Sequence, residues 1–264
     1  MKNYETVILI SVKDNLEGLL NTVNSITEII DILICDDGSK EVVKLKEFKK
    51  NITIIRNEKN KGIGYSLNRL INIAIKKKYK YVMIIDAGDL YVEGRLRKQI
   101  DYAKLFPDVV LFGGSMIIQD ESGNKLGDFN APIDKKNLDY QVKRGYPFAH
   151  PTALYNLNNY IKLNIKYNEK IKASLDYDLI YRLYNLNSNY IKNLNEVLCI
   201  YIREKNSIGV KSTSLQAKEA MKIRWKYADY SWDGIAGRFD IRLIIRFLYP
   251  KLFFFLSKHY QTWK

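Results

Sequence analysis

The sequence predicts an α/β fold: a mostly parallel sheet flanked by helices, with a helical C-terminal extension. Three observations predict it. Four short apolar runs rich in β-branched residues, Thr6–Val12, Asp31–Asp36, Asn51–Arg56 and Tyr81–Ile85, read as strands covered on both faces. Segments of helical periodicity separate most of them, the rhythm of right-handed βαβ units. Polar turns rich in acids close the second and fourth runs at their carboxyl ends, where open parallel sheets bind ligands.

Taken in order, the first strand gives way to a polar loop, Lys13-Asp14-Asn15, and then to Leu16, Leu19, Leu20, Val23 and Ile26 at helical spacing. The second strand ends at Asp36-Asp37-Gly38-Ser39, and Lys40 to Lys50 reads as a helix. After the third strand, Asn60-Lys61-Gly62 opens a helix running to about Lys77, and the fourth strand stops at Asp86-Ala87-Gly88-Asp89. The rhythm then changes. Arg95 to Phe106 reads as a helix, and Ser115–Gln119 with the turn Asp120–Asn124 reads as a hairpin, so an antiparallel part is joined to the parallel one. Asn137 to Arg144 is a further helix, and Phe148–Tyr155 is extended, its Pro151 pointing to an edge or a loop. Ser174 is placed to cap a helix to about Asn187, and Tyr190 to Ile202 supplies one or two short strands. Two more helices follow, over Ser212 to Tyr230 and Asp240 to Lys258, the second interrupted by Pro250. The division expected is a sheet-containing body over 1–205 and a basic helical extension over 206–264.

Composition narrows the function. At 264 residues with 47% hydrophobic content and a mean hydropathy of -0.27, the chain is long and apolar enough for a folded core. Cys35 and Cys199 lie in apolar runs outside any metal or redox motif, as reduced core thiols of a cytoplasmic protein do. His150 and His259 are the only histidines, which excludes a His-rich metal site. Met1 runs into a strand-like segment with no signal-peptide pattern. The net charge of +14 is concentrated: residues 201–264 hold 13 Lys and Arg against 5 Asp and Glu. Such a tail points to an anionic partner. The aromatic-rich stretch 241–256 is too interrupted by Arg242, Arg246, Pro250 and Lys251 to span a bilayer, but suits a helix lying at the cytoplasmic face of a membrane.

The chemistry-bearing residues cluster at strand ends and helix starts. Asp36 and Asp37 can accept from a pyrimidine ring N–H and from ribose hydroxyls, while Gly38 lets the backbone turn beneath the base. As ordinary structure the same four residues would be a capping turn. Asn60 and Gly62 before a helix can offer backbone N–H groups to phosphate. Asp86 and Asp89, spaced by small residues, are oxygen ligands suited to a hard cation carrying a diphosphate. Asp176 and Asp178 occupy the first turn of a helix, where partial positive charge favours an anion.

In this order and spacing the motifs resemble family 2 glycosyltransferases over about the first 205 residues: an apolar strand and loop, Asp36-Asp37-Gly38-Ser39, Asn60-Lys61-Gly62, Asp86-Ala87-Gly88-Asp89, His150-Pro151-Thr152 and Leu175-Asp176-Tyr177-Asp178. The resemblance implies a Rossmann-like glycosyltransferase A-type fold and an inverting transfer from a nucleotide-diphospho-sugar, most simply a UDP-sugar, to a glycan or lipid-linked saccharide. It implies nucleotide-sugar contacts at Ser11, Val12, Asp14, Asp36, Asp37, Asn60, Gly62, Asn68, Asp86 and Gly88. Mn²⁺ or Mg²⁺ would be held by Asp86 and Asp89, Asp176 would be the general base, and His150 and Asp178 would face the acceptor. The chain departs from the family pattern in several places. Ser11, Lys13 and Asp14 stand for Pro, Tyr and Asn, Leu67 for Arg, and Gly88 for the middle acid of Asp-x-Asp-Asp. Leu175 stands for Glu, Ile202 for Arg, and Glu204 for a His.

Other classes explain less. A sugar nucleotidyltransferase needs a Gly-rich, Arg-containing loop after the first strand, which Ser11–Glu17 lacks. A catalytically silent nucleotide-sugar-binding relative is compatible with Gly88 and Glu204. Nucleic acid is disfavoured as a partner, because acids occupy the strand ends where a phosphate backbone would lie.

Overall fold

A computed structural model describes residues 5–45, 51–203 and 213–250. β1 (Thr6–Val12), β2 (Asp31–Asp36), β3 (Ile52–Arg56) and β4 (Tyr81–Ile84) form a parallel half-sheet in the order β3-β2-β1-β4. Alternation along these strands sorts the core into two. Val7, Leu9, Leu33, Cys35, Val82 and Ile84 pack on one face, and Ile8, Ile10, Ile32, Ile34, Tyr81 and Met83 on the other. Burial on both faces explains why β1, β2 and β4 are near-continuously apolar, whereas β3, expected to be covered on both faces, is the edge strand and only half-buried throughout. α1 (Leu16–Ser25) covers the second face through Leu19 and Val23, and α2 (Ile63–Lys76) the first through Leu67, Leu70, Ile71 and Ala74. The α1 crossover leads from β1 to β2, and the α2 crossover returns from β3 to β4 on the other side of β1, so the strand order reverses beside β1. A crevice therefore opens above the carboxyl ends of these strands.

The sheet continues past β4 as a mixed structure. β8 (Leu154–Asn156) pairs antiparallel with β4 and with β6 (Leu111–Gln119). β6 pairs with β7 (Lys125–Phe129) in the expected hairpin and runs parallel to β9 (Ile191–Ile202), which also pairs with the two-residue β5 (Leu90–Tyr91). α3 (Arg95–Leu105), α4 (Lys135–Arg144), α5 (Leu157–Lys162) and α6 (Leu175–Leu186) flank it.

Several expectations are corrected. Residues 40–45 carry no helix, and 46–50 lie outside the described residues. Pro151 falls in a short 3-10 turn, His150–Thr152, and the strand after it is internal, because the turn delivers Leu154 between β4 and β6. Tyr190–Ile202 becomes one long strand with irregular register near Gly113 and Ser115.

The C-terminal helices are α7 (Thr213–Tyr227), α8 (Trp232–Arg238) and α9 (Ile241–Leu248). Ala217, Ala220, Ile223, Ala228 and Leu243 join the same cluster as Leu179 and Tyr181 of α6, so this region shares the core of the sheet domain. Arg224 is 1% exposed and donates to the Tyr177 hydroxyl at 2.8 Å and to Asp240 at 3.0 Å. Among the described residues no helix is long and apolar enough to cross a membrane.

Candidate active site

The parallel register brings the first loop and the two acid turns to one edge. Val12 lies opposite Asp36, and the Asp37 N–H donates to the Val12 carbonyl at 2.8 Å. Ser11, half-buried, precedes it on β1. Asp14 has a φ of 51°, its N–H donates to the Ser39 hydroxyl at 3.0 Å, and its carboxylate accepts from the Lys40 N–H at 2.7 Å. Hydrogen bonds from Lys13 and Lys40 hold that carboxyl below its ordinary range. The loop and the Asp36–Ser39 turn are thus stitched into one rim.

Two of the rim's acids are committed to the backbone around them. Asp36 is buried, accepts from the Ser39 and Val43 N–H groups and pairs with Arg56. Burial pushes its carboxyl up, but the bonds from Ser39, Val43 and Arg56 outweigh that and lower it. Asp37, also buried, accepts from Asn57 at 2.8 Å, the Lys61 N–H at 2.9 Å and the Gly62 N–H at 2.8 Å. This draws Asn60-Lys61-Gly62 over the strand ends, with the Asn60 side chain also accepting from Gly62 at 3.0 Å. Gly38, at φ +72°, allows the approach, since a Cβ there would meet the Lys59 carbonyl carbon at 2.6 Å. Asn68 of α2 points elsewhere: its amide exchanges hydrogen bonds with the Tyr167 backbone at 3.0 Å and donates to Glu169 at 2.9 Å.

The Asp86–Asp89 turn is shaped from α1, which the sequence reading did not foresee. The Thr22 hydroxyl donates to the Asp89 carbonyl at 2.8 Å and accepts from the Gly88 N–H at 2.9 Å, and Asn15 donates to the Ala87 carbonyl at 3.2 Å. Gly88 takes a φ of 114°, open to glycine alone in practice. Asp89 is 4% exposed and accepts from the Ile202 N–H of β9 at 3.3 Å. Beneath the turn lies Arg95, also missed, 1% exposed, donating to the Ile84 carbonyl at 2.9 Å and to Gln99. Asp86 is the reachable acid, its side chain 42% exposed. Desolvation raises its carboxyl, the nearby charge of Asp176 adds to that, and His150 opposes it. Glu204, the further oxygen candidate named from the sequence, lies outside the described residues.

Across the cleft stand Asp176 and His150. Asp176 is near enough for its charge to raise Asp86, Tyr146, Tyr155 and Tyr167, after the larger effect of their burial. It sits in the first turn of α6, half-buried, and its carboxylate enters no hydrogen bond or ion pair among the described residues. His150 is held by the buried Thr152, whose hydroxyl donates to Ala149 at 2.6 Å, and its Nδ1 lies 4.0 Å from Asp86. Asp178 turns away from Asp176 into a buried ion pair with Arg182 at 2.8 Å. Ser174 occupies the cap position of α6, but its hydroxyl donates to the Gln216 carbonyl. The N–H groups of Lys172, Ala173 and Ser174 instead converge on the carboxylate of Glu219 from α7, at 2.8–3.0 Å. No sequence signal pointed to Glu219, since a helix 40 residues downstream supplies it. The structure therefore brings Asp86, His150 and Asp176 together, sets Asp37, Asn60 and Gly62 on the rim, and leaves Asn68 and Asp178 in packing contacts.

Among the described residues no three of His, Cys, Asp and Glu gather closely enough to hold a metal unaided. A cation bound through a diphosphate needs only one or two carboxylates, the phosphates and water supplying the rest. An open Asp86 whose anionic form is disfavoured by its surroundings fits that arrangement, because a cation would restore the charge balance.

Comparison with known proteins agrees with this geometry. The family model for glycosyl transferase family 2 matches residues 7–162, which spans β1, both acid turns and His150. The chain belongs to glycosyl transferase family 2. This family 2 glycosyltransferase is 28% identical to an uncharacterised glycosyltransferase of Methanocaldococcus jannaschii over 222 residues, covering 81% of this chain and 74% of that one. It is 26% identical to the amylovoran biosynthesis glycosyltransferase AmsE of Erwinia amylovora over 191 residues, 70% of this chain and 69% of that one. Among solved structures, S. aureus TarS 1-349 in complex with UDP-GlcNAc matches with a TM-score of 0.63 at 14% identity, over 97% of this chain and 72% of that one. The mannosyltransferase PcManGT of Pyrobaculum calidifontis, in complex with GDP-Man and Mn²⁺, matches with a TM-score of 0.60 at 10% identity, over 97% and 73%. At these identities the structural matches establish the shared glycosyltransferase A-type fold.

Proposed function

We infer that this glycosyltransferase transfers a sugar with inversion from a nucleotide-diphospho-sugar, a UDP-sugar first among candidates, to a hydroxyl of a glycan acceptor in surface polysaccharide or lipooligosaccharide synthesis. One observation carries the reading: Asp176, whose carboxylate enters no hydrogen bond or ion pair among the described residues, comes close to Asp86 in the acid turn at the carboxyl end of β4. The donor's nucleotide lies on the rim formed by Ser11, Val12, Asp14, Asp37 and the Asn60–Gly62 loop, with its diphosphate toward Asp86 and Gly88. Asp176 takes the proton of the acceptor hydroxyl as that oxygen attacks the anomeric carbon. The bond from the anomeric carbon to the diphosphate oxygen breaks, its electron pair leaves with the nucleoside diphosphate, and attack from the opposite face inverts the centre.

Asp86, with Asp89 beneath it, would hold Mn²⁺ or Mg²⁺, which neutralises charge on the departing diphosphate when bound. The Mn²⁺ and GDP-Man complex of one structural relative and the UDP-GlcNAc complex of another support this donor chemistry. Peripheral contact with the cytoplasmic face of a membrane is part of the reading. Trp225 of α7, Trp232 of α8 and Tyr230 in the connection between them are exposed, with Arg238 over the Trp225 and Tyr230 rings. Amphipathic aromatics beside basic groups suit the headgroup layer of an anionic membrane. The test is thermal stabilisation by a panel of nucleotide sugars with and without Mn²⁺, followed by NMR of the anomeric configuration of the product. Retention of configuration, or stabilisation by no nucleotide sugar, overturns the reading.

A further inference from the structure

His150 is joined to two tyrosines that belong to none of the acid motifs. Its Nε2 lies 2.9 Å from the Tyr167 hydroxyl, which in turn lies 2.8 Å from the Tyr155 hydroxyl. Tyr155 and Tyr167 are 0% and 1% exposed, and neither hydroxyl has another hydrogen bond among the described residues. The opposite ring nitrogen, Nδ1, faces Asp86 at 4.0 Å. Edge-on packing of His150 on Tyr167 and of Tyr167 on Tyr155 fixes the three rings against one another.

The protons of this chain can run in two directions, and only one uses them all. With the ring proton on Nε2, His150 donates to Tyr167 and Tyr167 donates to Tyr155. The Tyr155 proton then has no acceptor among the described residues, a costly unmet donor in a buried site. In the reverse direction Tyr155 donates to Tyr167, Tyr167 donates to a bare Nε2, and the ring proton resides on Nδ1, toward Asp86. Burial raises both phenols well above their ordinary range, so neither gives up its proton to relieve the conflict.

We propose that Tyr167, backed by Tyr155, holds His150 in the tautomer with its ring proton on Nδ1, making it a positioning residue that offers a hydrogen-bond donor to the Asp86 carboxylate or a donor-sugar oxygen beside it. The assignment rests on the reading of Asp86 as the acid facing the diphosphate. It has a chemical corollary: Nδ1 carries no lone pair for a cation, so His150 holds the oxygen ligand rather than the metal. The 4.0 Å separation is longer than a hydrogen bond, and such contacts in ligand-free sites commonly tighten when substrate binds.

Because the chain has two histidines, ¹⁵N-histidine labelling of the full-length protein gives two imidazole signal sets, and His259→Gln leaves one. Recorded without sugar at a pH of about 8.5, well above the ordinary histidine range, the wild-type His150 spectrum should show a protonated Nδ1 and a bare Nε2. Tyr167→Phe should move the proton toward Nε2 and lower kcat about tenfold, the scale of losing a partner that orients a ligand. Tyr155→Phe leaves the Tyr167 proton available to Nε2 and should preserve the tautomer. A wild-type Nε2-protonated ring, or an unchanged tautomer in Tyr167→Phe, overturns the proposal. The spectrum needs no donor or acceptor, so its failure is distinguishable from failure of the transferase reading, which product formation decides.

Discussion

Replacing Asp176 with Asn removes one proton acceptor from the cleft and almost nothing else. The Asp176 carboxylate enters no hydrogen bond or ion pair among the described residues, so the isosteric amide should change folding stability by no more than about 0.5 kcal/mol. A general base contributes roughly 10²–10⁴ in rate. At 1.36 kcal/mol per factor of ten, its loss should raise the barrier by about 3–5 kcal/mol. The same change removes a negative charge that helps raise the Asp86 carboxyl, after desolvation, against the opposing effect of His150. Asp86 should therefore ionise at lower pH in Asp176→Asn, and the pH below which Mn²⁺-dependent donor binding falls off should shift downward from that of the wild type. The assay pairs calorimetric titration of the donor, with and without Mn²⁺, against single-turnover transfer. Transfer within threefold of wild type would refute the assignment of the base. A large fall in melting temperature would show instead that Asp176 is a packing residue.

Thr22→Val keeps the shape of the side chain but leaves the Gly88 N–H and the Asp89 carbonyl without their partner. It should cost about 1–3 kcal/mol in stability and weaken donor binding more than acceptor binding, read from separate KM values. Glu219→Ala frees three backbone N–H groups just before α6. The expected outcome is a loss of about 2 kcal/mol by denaturant unfolding, with kcat reduced and donor Kd nearly unchanged, because Glu219 touches the segment that carries Asp176 rather than the nucleotide rim. Asp240→Asn breaks a buried pair and should cost about 3 kcal/mol at neutral pH. Burial raises the Asp240 carboxyl, but Arg242 and Arg224 outweigh that and hold it below 3.8. A depressed folded value contributes stability above the unfolded one and loses it as pH falls through the folded one, so wild type and variant should converge below about pH 4 in acid unfolding. Trp225→Ala with Trp232→Ala should reduce cosedimentation with anionic vesicles and leave transfer to a soluble acceptor intact; undiminished cosedimentation would count against the membrane reading.

The parallel half of the sheet was legible because burial on both faces leaves a local trace. The interiors of Thr6–Val12, Asp31–Asp36 and Tyr81–Ile84 face core on both sides, so they read as near-continuous apolar runs rather than as alternating or helical patterns. The acids at strand ends were legible for a similar reason, since an apolar run that stops at Asp36 or Asp86 marks its own carboxyl end. The helix expected over Lys40–Lys50 is absent from its described part, 40–45, because alternating charge and apolar residues look periodic even where the Val43 N–H is taken by Asp36 instead of a helical carbonyl. Asp178 looked like a second cleft acid, yet two residues along a helix is about 200° of rotation, which carries it to the Arg182 side.

By itself, the sequence determined which chemistry was available: carboxylates at the ends of buried strands and at the start of one helix, with the family those motifs resemble. Tertiary structure decided which carboxylates remain free to act. Asp36 and Asp37 are consumed by backbone N–H groups, while Asp176 is left open, because distant partners such as Glu219, Thr22 and Tyr167 satisfy the groups around the cleft. Those partners come from other elements, tens of residues away, and pairing of polar groups through space leaves no periodic mark in the chain.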